Sequence, residues 1–189
     1  RIDVCYSCTQ KCLGAHPGLA PLTVSPAAME RLVAAPTSWY LDLNLLSRYV
    51  RGDATGGRVY HHTAPVSMIG ALHAALGVTL SEGMHNVWQR HAACGTLLQE
   101  GLQDLGLVLF APEACRTPQL TTVVVPDDIP DGMDEATFRR MLLERYGIEI
   151  GGGAGPMAGR IWRIGCMGHV ARRRNVLALL GALKEALKR

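Results

Sequence analysis

The apolar positions of the chain fall into short branched runs and longer helical stripes. "GLAPLTVS" predicts a short strand. The Ser25-Pro26 step after it predicts a helix, with Ser25 as cap, Pro26 in the first position, and Met29, Leu32 and Val33 on its apolar face. In "SWYLDLNLLSRYV", Tyr40 or Leu41, Leu45 and Tyr49 recur at helical spacing. Val4 to Ser7 reads as the end of a buried strand. "RGDATGG" is a loop by composition, "VYHHT" leaves it, and Pro65 starts a long helix. Thr63 to Ser81 carries no charge and predicts a buried helix. Its His73, glycines, hydroxyl residues and Pro65 argue against a membrane span.

The texture changes at Glu82. Val87, Cys94, Leu97, Leu98, Leu102 and Leu105 form one stripe of an amphipathic helix that Gly106 ends. "LVLF" and "LTTVVVP" read as strands, and "DEATFRRMLLERYG" as a capped helix ending at Gly147. "IEIG", a glycine-rich turn and "RIWRIG" read as strand, loop, strand. "ARRRNVLALLGALKEALKR" is a closing amphipathic helix. Strands and helices alternate, so the class is α/β or α+β, with a domain boundary expected near Ser81-Glu82.

Composition narrows the function classes. The chain's 189 residues are enough for one large domain or two small ones, and 48% hydrophobic with 19% charged argues against disorder. A net charge of +3, scattered except at Arg172, Arg173 and Arg174, does not suggest a nucleic-acid binder. No basic start leads into an apolar signal segment, and the six cysteines are expected to be reduced. The opening "RIDVCYS" reads as starting mid-element, as a fragment or processed product would.

Candidate chemistry concentrates in "YSCTQKCLGAHPG", residues 6 to 18. Cys5, Cys8 and Cys12 have the spacing C-x2-C-x3-C, and His16 or the pair His61 and His62 could complete a metal site. Against that reading, no second CxxC pair exists, and an extended strand would send Cys5 and Cys8 to opposite faces. "GGGAGP", Gly151 to Pro156, lacks the Lys-Ser/Thr of a phosphate loop and precedes a strand. Lys11 could be a nucleophile. A lysine amine has an ordinary pKa of about 10.4, so this role predicts a partly buried, electropositive or apolar setting that favours its neutral form.

Four segments in order, "YSCTQKCLGAHPGLAPLTVS", "SWYLDL", "VYHHTAPVSM" and "IEIGGGAGPMAGRIWRIGCMG", carry a resemblance that covers essentially the whole chain. The chain resembles the class V, fold-type I aminotransferases that use pyridoxal 5'-phosphate, and looks most like the alanine–glyoxylate (serine–pyruvate) group. The resemblance is to the carboxyl-terminal half of such an enzyme only. The resemblance implies an α/β fold in which residues 1–81 finish a large cofactor-binding domain and 82–189 form a small α+β domain. Lys11 matches the lysine that binds the cofactor, and Gln10 the residue beside it near the phosphate. Tyr60 and Thr63 match a pair that reaches across a homodimer interface to the neighbour's phosphate. Arg163 matches the arginine that clamps the substrate carboxylate. The implied reaction is ping-pong aldimine chemistry between a small amino acid, alanine or serine, and a small 2-oxo acid, glyoxylate or pyruvate. The implied home is cytoplasmic by default, since the "LKR" ending is no peroxisomal signal.

Bland readings stand beside these. Tyr60 could be a core aromatic, His61 and His62 could pack or bond backbone groups, Thr63 could cap the helix at Pro65, and Arg163 could pair with Asp3 or Glu149. The family's ring-nitrogen aspartate, stacking aromatic and phosphate loop all precede its lysine, and only ten residues precede Lys11. If the chain is complete, cofactor binding is expected to be weak or absent. Two alternatives follow: a non-catalytic fragment or dimerisation module, and a cysteine desulfurase-like enzyme. The second is disfavoured because Gln10 stands where those enzymes usually have histidine.

Overall fold

The computed structural model describes residues 2–189. The chain divides into two compact units. One is Arg1–Gln10 with Ala15–Ala74; the other is Lys11–Gly14 with Ala75–Arg189.

The first unit begins with an antiparallel pair, β1 (Val4–Tyr6) and β2 (Leu22–Val24), with Cys5 opposite Thr23. A helical turn, α1 (Pro26–Met29), follows. The Ser25 side chain accepts the Ala28 N–H as its cap, and Pro26 fills the first position, as the sequence predicts. The turn ends at Met29, so Leu32 and Val33 do not extend its apolar face, and Val33 is exposed. Next comes α2 (Leu43–Arg51), capped by the Asp42 carboxylate on the Asn44 N–H. Trp39, Tyr40 and Leu41 lie before the helix instead of within it. The loop after α2 closes around Asp53, whose Oδ1 accepts hydrogen bonds from Thr55 N–H, Thr55 Oγ1 and Gly57 N–H. Together they hold its carboxyl below the usual carboxylate range, the Thr55 hydroxyl contributing most.

Two burial expectations fail here. β1 is a strand but not a buried one, with Val4 and Tyr6 both largely exposed. α3 (Val66–Glu82) forms where Pro65 predicts it, yet buries no residue, and Ile69, Val78 and Leu80 are exposed. Its apolar residues run around the whole helix, and uniform apolarity specifies no single face to bury. Among the described residues, no helix is long and apolar enough to cross a membrane.

The second unit contains the hydrophobic core. β5 (Ile161–Gly165) is the middle strand of an antiparallel sheet of order β3 (Leu120–Val124), β5, β4 (Gly151–Gly152). "LVLF" does not form a full strand; Leu109 makes a single bridge to Val123, flanked by backbone bonds from Phe110 to Thr122 and from Val124 to Val108. Three helices complete the unit: α4 (Met84–Asp104), α5 (Glu135–Tyr146) and α6 (Arg173–Ala186). α4 packs on β3 and α6, and α5 on β4 and α6. The stripe on α4 behaves as its spacing predicts, with Val87, Cys94, Leu98 and Leu102 buried. Asp134 caps α5 through the Thr137 N–H. Gly147 ends it in the left-handed conformation (φ 65°), which glycine adopts without a Cβ clash. Phe138 and Trp162, both fully buried, stack with ring centroids 5.1 Å apart. None of the six cysteines is in a disulfide.

Candidate functional site

Lys11 opens a four-residue turn in which the Gly14 N–H donates to the Lys11 carbonyl at 3.0 Å. The turn belongs to the second unit, whereas Gln10, immediately before it, belongs to the first. Both side chains are exposed. The partial burial expected of a nucleophilic Lys11 is therefore not found. The backbone of the turn is packed, and the side chain leads outward.

Arg163 is placed by the period-2 alternation of β5. Trp162 and Ile164 point into the core, and Arg163 lies on the opposite, exposed face. Its cross-strand neighbours are Thr122 on β3 and Gly151 on β4. The guanidinium is held at one point, where Nε donates to the Gly152 carbonyl at 2.7 Å. Neither Asp3 nor Glu149 pairs with it; among the described residues Arg163 has no ion pair. A guanidinium fixed through Nε keeps its two terminal nitrogens parallel, the geometry that receives a carboxylate in two hydrogen bonds. Gly151 and Gly152 form the neighbouring strand, opposite Arg163 and Trp162.

Tyr60 and Thr63 lie in the irregular segment before α3. Their hydroxyl oxygens are 3.1 Å apart, and Tyr60 is 73% exposed, which removes the core-aromatic reading. Thr63 spends its hydroxyl on Tyr60, and no capping bond from it to α3 is found among the described residues. Between them, His61 is buried and stacks on Trp39 at 4.1 Å. His61 Nε2 lies 3.1 Å from the Trp39 carbonyl and must donate to it. Its Nδ1 then accepts from Nδ1–H of His62, 2.8 Å away. Both histidines thus bond and pack, and the segment between the two exposed hydroxyls is anchored by rings. Tyr40 and Tyr49 add edge and tilted contacts to the same cluster.

Among the described residues, no three His, Cys, Asp or Glu side chains come together as a metal site requires. Sequence reasoning missed the Gly152 carbonyl that orients Arg163 and the Glu82, Arg90 and His91 cluster at the start of α4. A main-chain carbonyl has no sequence signature. Glu82 and Arg90 are eight apart across the break at Gly83, outside any single-helix pairing rule.

The second unit offers a primary amine and a half-anchored guanidinium, and the first a carboxamide and two neighbouring hydroxyls. These types fit an aldehyde-bearing phosphate ester such as pyridoxal 5'-phosphate: an amine for the aldehyde, neutral donors for the phosphate, and a fork for a carboxylate.

No protein-family model matches the chain. It is 40% identical over 191 residues to an alanine–glyoxylate aminotransferase of Callithrix jacchus, an alignment covering 99% of this chain and 45% of that protein. The crystal structure of an alanine–glyoxylate aminotransferase from Nostoc sp. superposes with a TM-score of 0.86 at 43% identity, over 98% of this chain and 48% of that one. A ureidoglycine–glyoxylate aminotransferase from Bacillus subtilis gives a TM-score of 0.88 at 37% identity, over 99% and 47%. The chain spans about half the length of the curated relatives it matches.

Proposed function

We propose that this chain, which belongs to the class V, fold-type I family of pyridoxal-phosphate-dependent aminotransferases, supplies the amine and the carboxylate clamp of an enzyme moving an amino group between small substrates. The donor is alanine or serine and the acceptor glyoxylate or pyruvate. The observation that carries this reading is Arg163, an exposed guanidinium with Nε fixed by Gly152 and no carboxylate partner among the described residues.

Pyridoxal phosphate, when bound, supplies the electron sink that lets a bond at the amino acid's Cα break. Lys11 would hold its aldehyde end, and Gln10 its phosphate. The paired hydroxyls of Tyr60 and Thr63 would serve the phosphate of a second copy of the chain in a homodimer. Support for that assignment is the outward, hydrogen-bonded presentation of the two hydroxyls. Arg163 receives the α-carboxylate in a two-point contact, which orients Cα. The Lys11 Nζ, on a flexible stem, takes the proton from Cα and returns it on the other side of the exchange. Small substrates are supported by the likeness to alanine–glyoxylate and ureidoglycine–glyoxylate aminotransferases.

The test is a half-reaction. Protein loaded with pyridoxal phosphate and given L-alanine or L-serine without an acceptor should release about one equivalent of the matching 2-oxo acid per site with at least one of them, as ping-pong exchange requires. Arg163→Lys should need about 10- to 100-fold more of that amino acid, the loss of one charge-assisted contact, while still taking up the cofactor. No 2-oxo acid from the wild type with either L-alanine or L-serine, or unchanged amino-acid dependence in the variant, contradicts the reading.

A further inference from the structure

We propose that His91, backed by the Glu82–Arg90 ion pair, is a positioning residue for Lys11, acting through the Gly168 turn against which the lysine's own turn rests. This role rests on the reading of Lys11 given above.

The two turns meet through backbone at Gly168 and through the His169 ring at Gly14. Gly168 has φ +60°, and a Cβ there would lie 3.2 Å from the Lys11 carbonyl oxygen and 3.4 Å from that of Cys12. A second touch runs the other way: a Cβ on Gly14 would lie 3.3 Å from Cδ2 of His169. No side chain stands between Gly168 and the Lys11 and Cys12 carbonyls, so a shift of Gly168 is passed to the backbone of Lys11.

Gly168 is gripped at both of its polar groups by α4. Its N–H donates to Nε2 of His91 at 3.0 Å, and its carbonyl accepts from Nη1 of Arg90 at 2.9 Å. The same Arg90 nitrogen donates to the Ala171 carbonyl at 2.8 Å, closing the far end of the turn. His91 is buried, and its Nδ1–H donates to the Val87 carbonyl at 2.7 Å, which aims Nε2 at Gly168. Arg90 is itself held by Glu82 in a two-point contact of 2.5 and 2.8 Å. That bond holds the Glu82 carboxyl below its usual range and raises Arg90. α4 is tied to the core by Val87, Cys94 and Leu98, so the grip comes from a rigid element. All of these polar groups are occupied by one another, which makes the role positional. Position matters because a displacement of about 1 Å can cost a reaction about 100-fold.

The experiment compares wild type, His91→Leu, His91→Gln and Arg90→Met, each shown to be folded by circular dichroism. Two quantities are read: hydrogen exchange at the Gly14 amide, and the rate of borohydride-trapped pyridoxal-phosphate labelling of Lys11 relative to Lys184 in the same molecule. In His91→Leu, exchange should quicken about 10-fold and the labelling ratio fall about 10-fold, as loss of one buried hydrogen bond implies. His91→Gln, which returns an acceptor near the Nε2 position, should restore both. Arg90→Met, whose side chain lies at the edge of the core, should move both the same way by a smaller factor. It decides the matter if His91→Leu does not fold. Unchanged exchange and labelling in a folded His91→Leu or Arg90→Met overturns the proposal. If wild-type Lys11 labels no faster than Lys184, the reading of Lys11 fails on its own, while exchange at Gly14 still decides whether His91 holds the turn.

Discussion

The two units solve the problem of holding a reactive group in different ways. The second unit is built around a core in which Trp162, Phe138, Leu98, Leu142 and Leu183 are almost fully enclosed, and it presents Arg163 from the strand that carries Trp162. The first unit has Thr9 and His61 as its buried residues among those described, while Val4, Tyr6, Trp39, Tyr40 and Leu41 face outward. It presents Tyr60 and Thr63 from an irregular segment fixed by ring stacking and histidine hydrogen bonds. Arg163 is therefore placed by apolar burial, and the hydroxyl pair by polar and aromatic contacts. An apolar core resists solvent change well; a lattice of partly exposed rings needs its surroundings to complete it.

The sharpest way to break this contrast is to empty each anchor. Phe138→Ala should destabilise the second unit by about 3–5 kcal/mol, the cost of removing a buried aromatic ring, read as a lower urea midpoint. Trp39→Ala should leave that midpoint within about 0.5 kcal/mol, as for surface substitutions, but open residues 36–63 to proteolysis. A large loss of overall stability in Trp39→Ala would mean that the first unit is better enclosed than its exposure shows.

pH sharpens the same comparison with a smaller effect. Burial pushes the Cys166 thiol up to about 11, with Cys94 beside it adding to the shift. A raised thiol keeps the folded form protonated where the unfolded chain ionises, from about 8.5. The second unit should thus lose stability as pH rises from about 8.5 towards about 11, and Cys166→Ala should flatten that decline. The Asp53 carboxyl of the first unit is shifted the other way. Its contribution is complete above the ordinary carboxylate pKa and lost as pH falls through the lowered one, so acid should release the Thr55 and Gly57 amides. Nuclear magnetic resonance of those two amides reads the change; retention of both in strong acid would contradict it.

Much of the local structure was legible because local chemistry dictates it. Ser25-Pro26 starts a helical turn, Asp134 and Gly147 bound α5, and the α4 stripe finds the core. Strand alternation also places Arg163 opposite Trp162. Burial was not legible where the pattern is uniform: α3 is apolar on every side, and nothing in such a run says whether it will be covered. The same holds for β1, whose three residues are all exposed. Resemblance, and not periodicity, pointed to Lys11, Gln10, Tyr60 and Thr63. The groups that support them came only from three-dimensional contacts: a Gly152 carbonyl, a Trp39 carbonyl and the Gly168 turn.

The decisive experiment concerns Lys11, one of three lysines in the chain with Lys184 and Lys188. The protein is mixed with pyridoxal phosphate at about one equivalent, reduced with borohydride, digested and mapped by mass spectrometry. The adduct is expected on Lys11, with Lys184 and Lys188 essentially unmodified and no adduct at position 11 in Lys11→Arg. Equal labelling of the three lysines, or none on Lys11, would contradict this expectation.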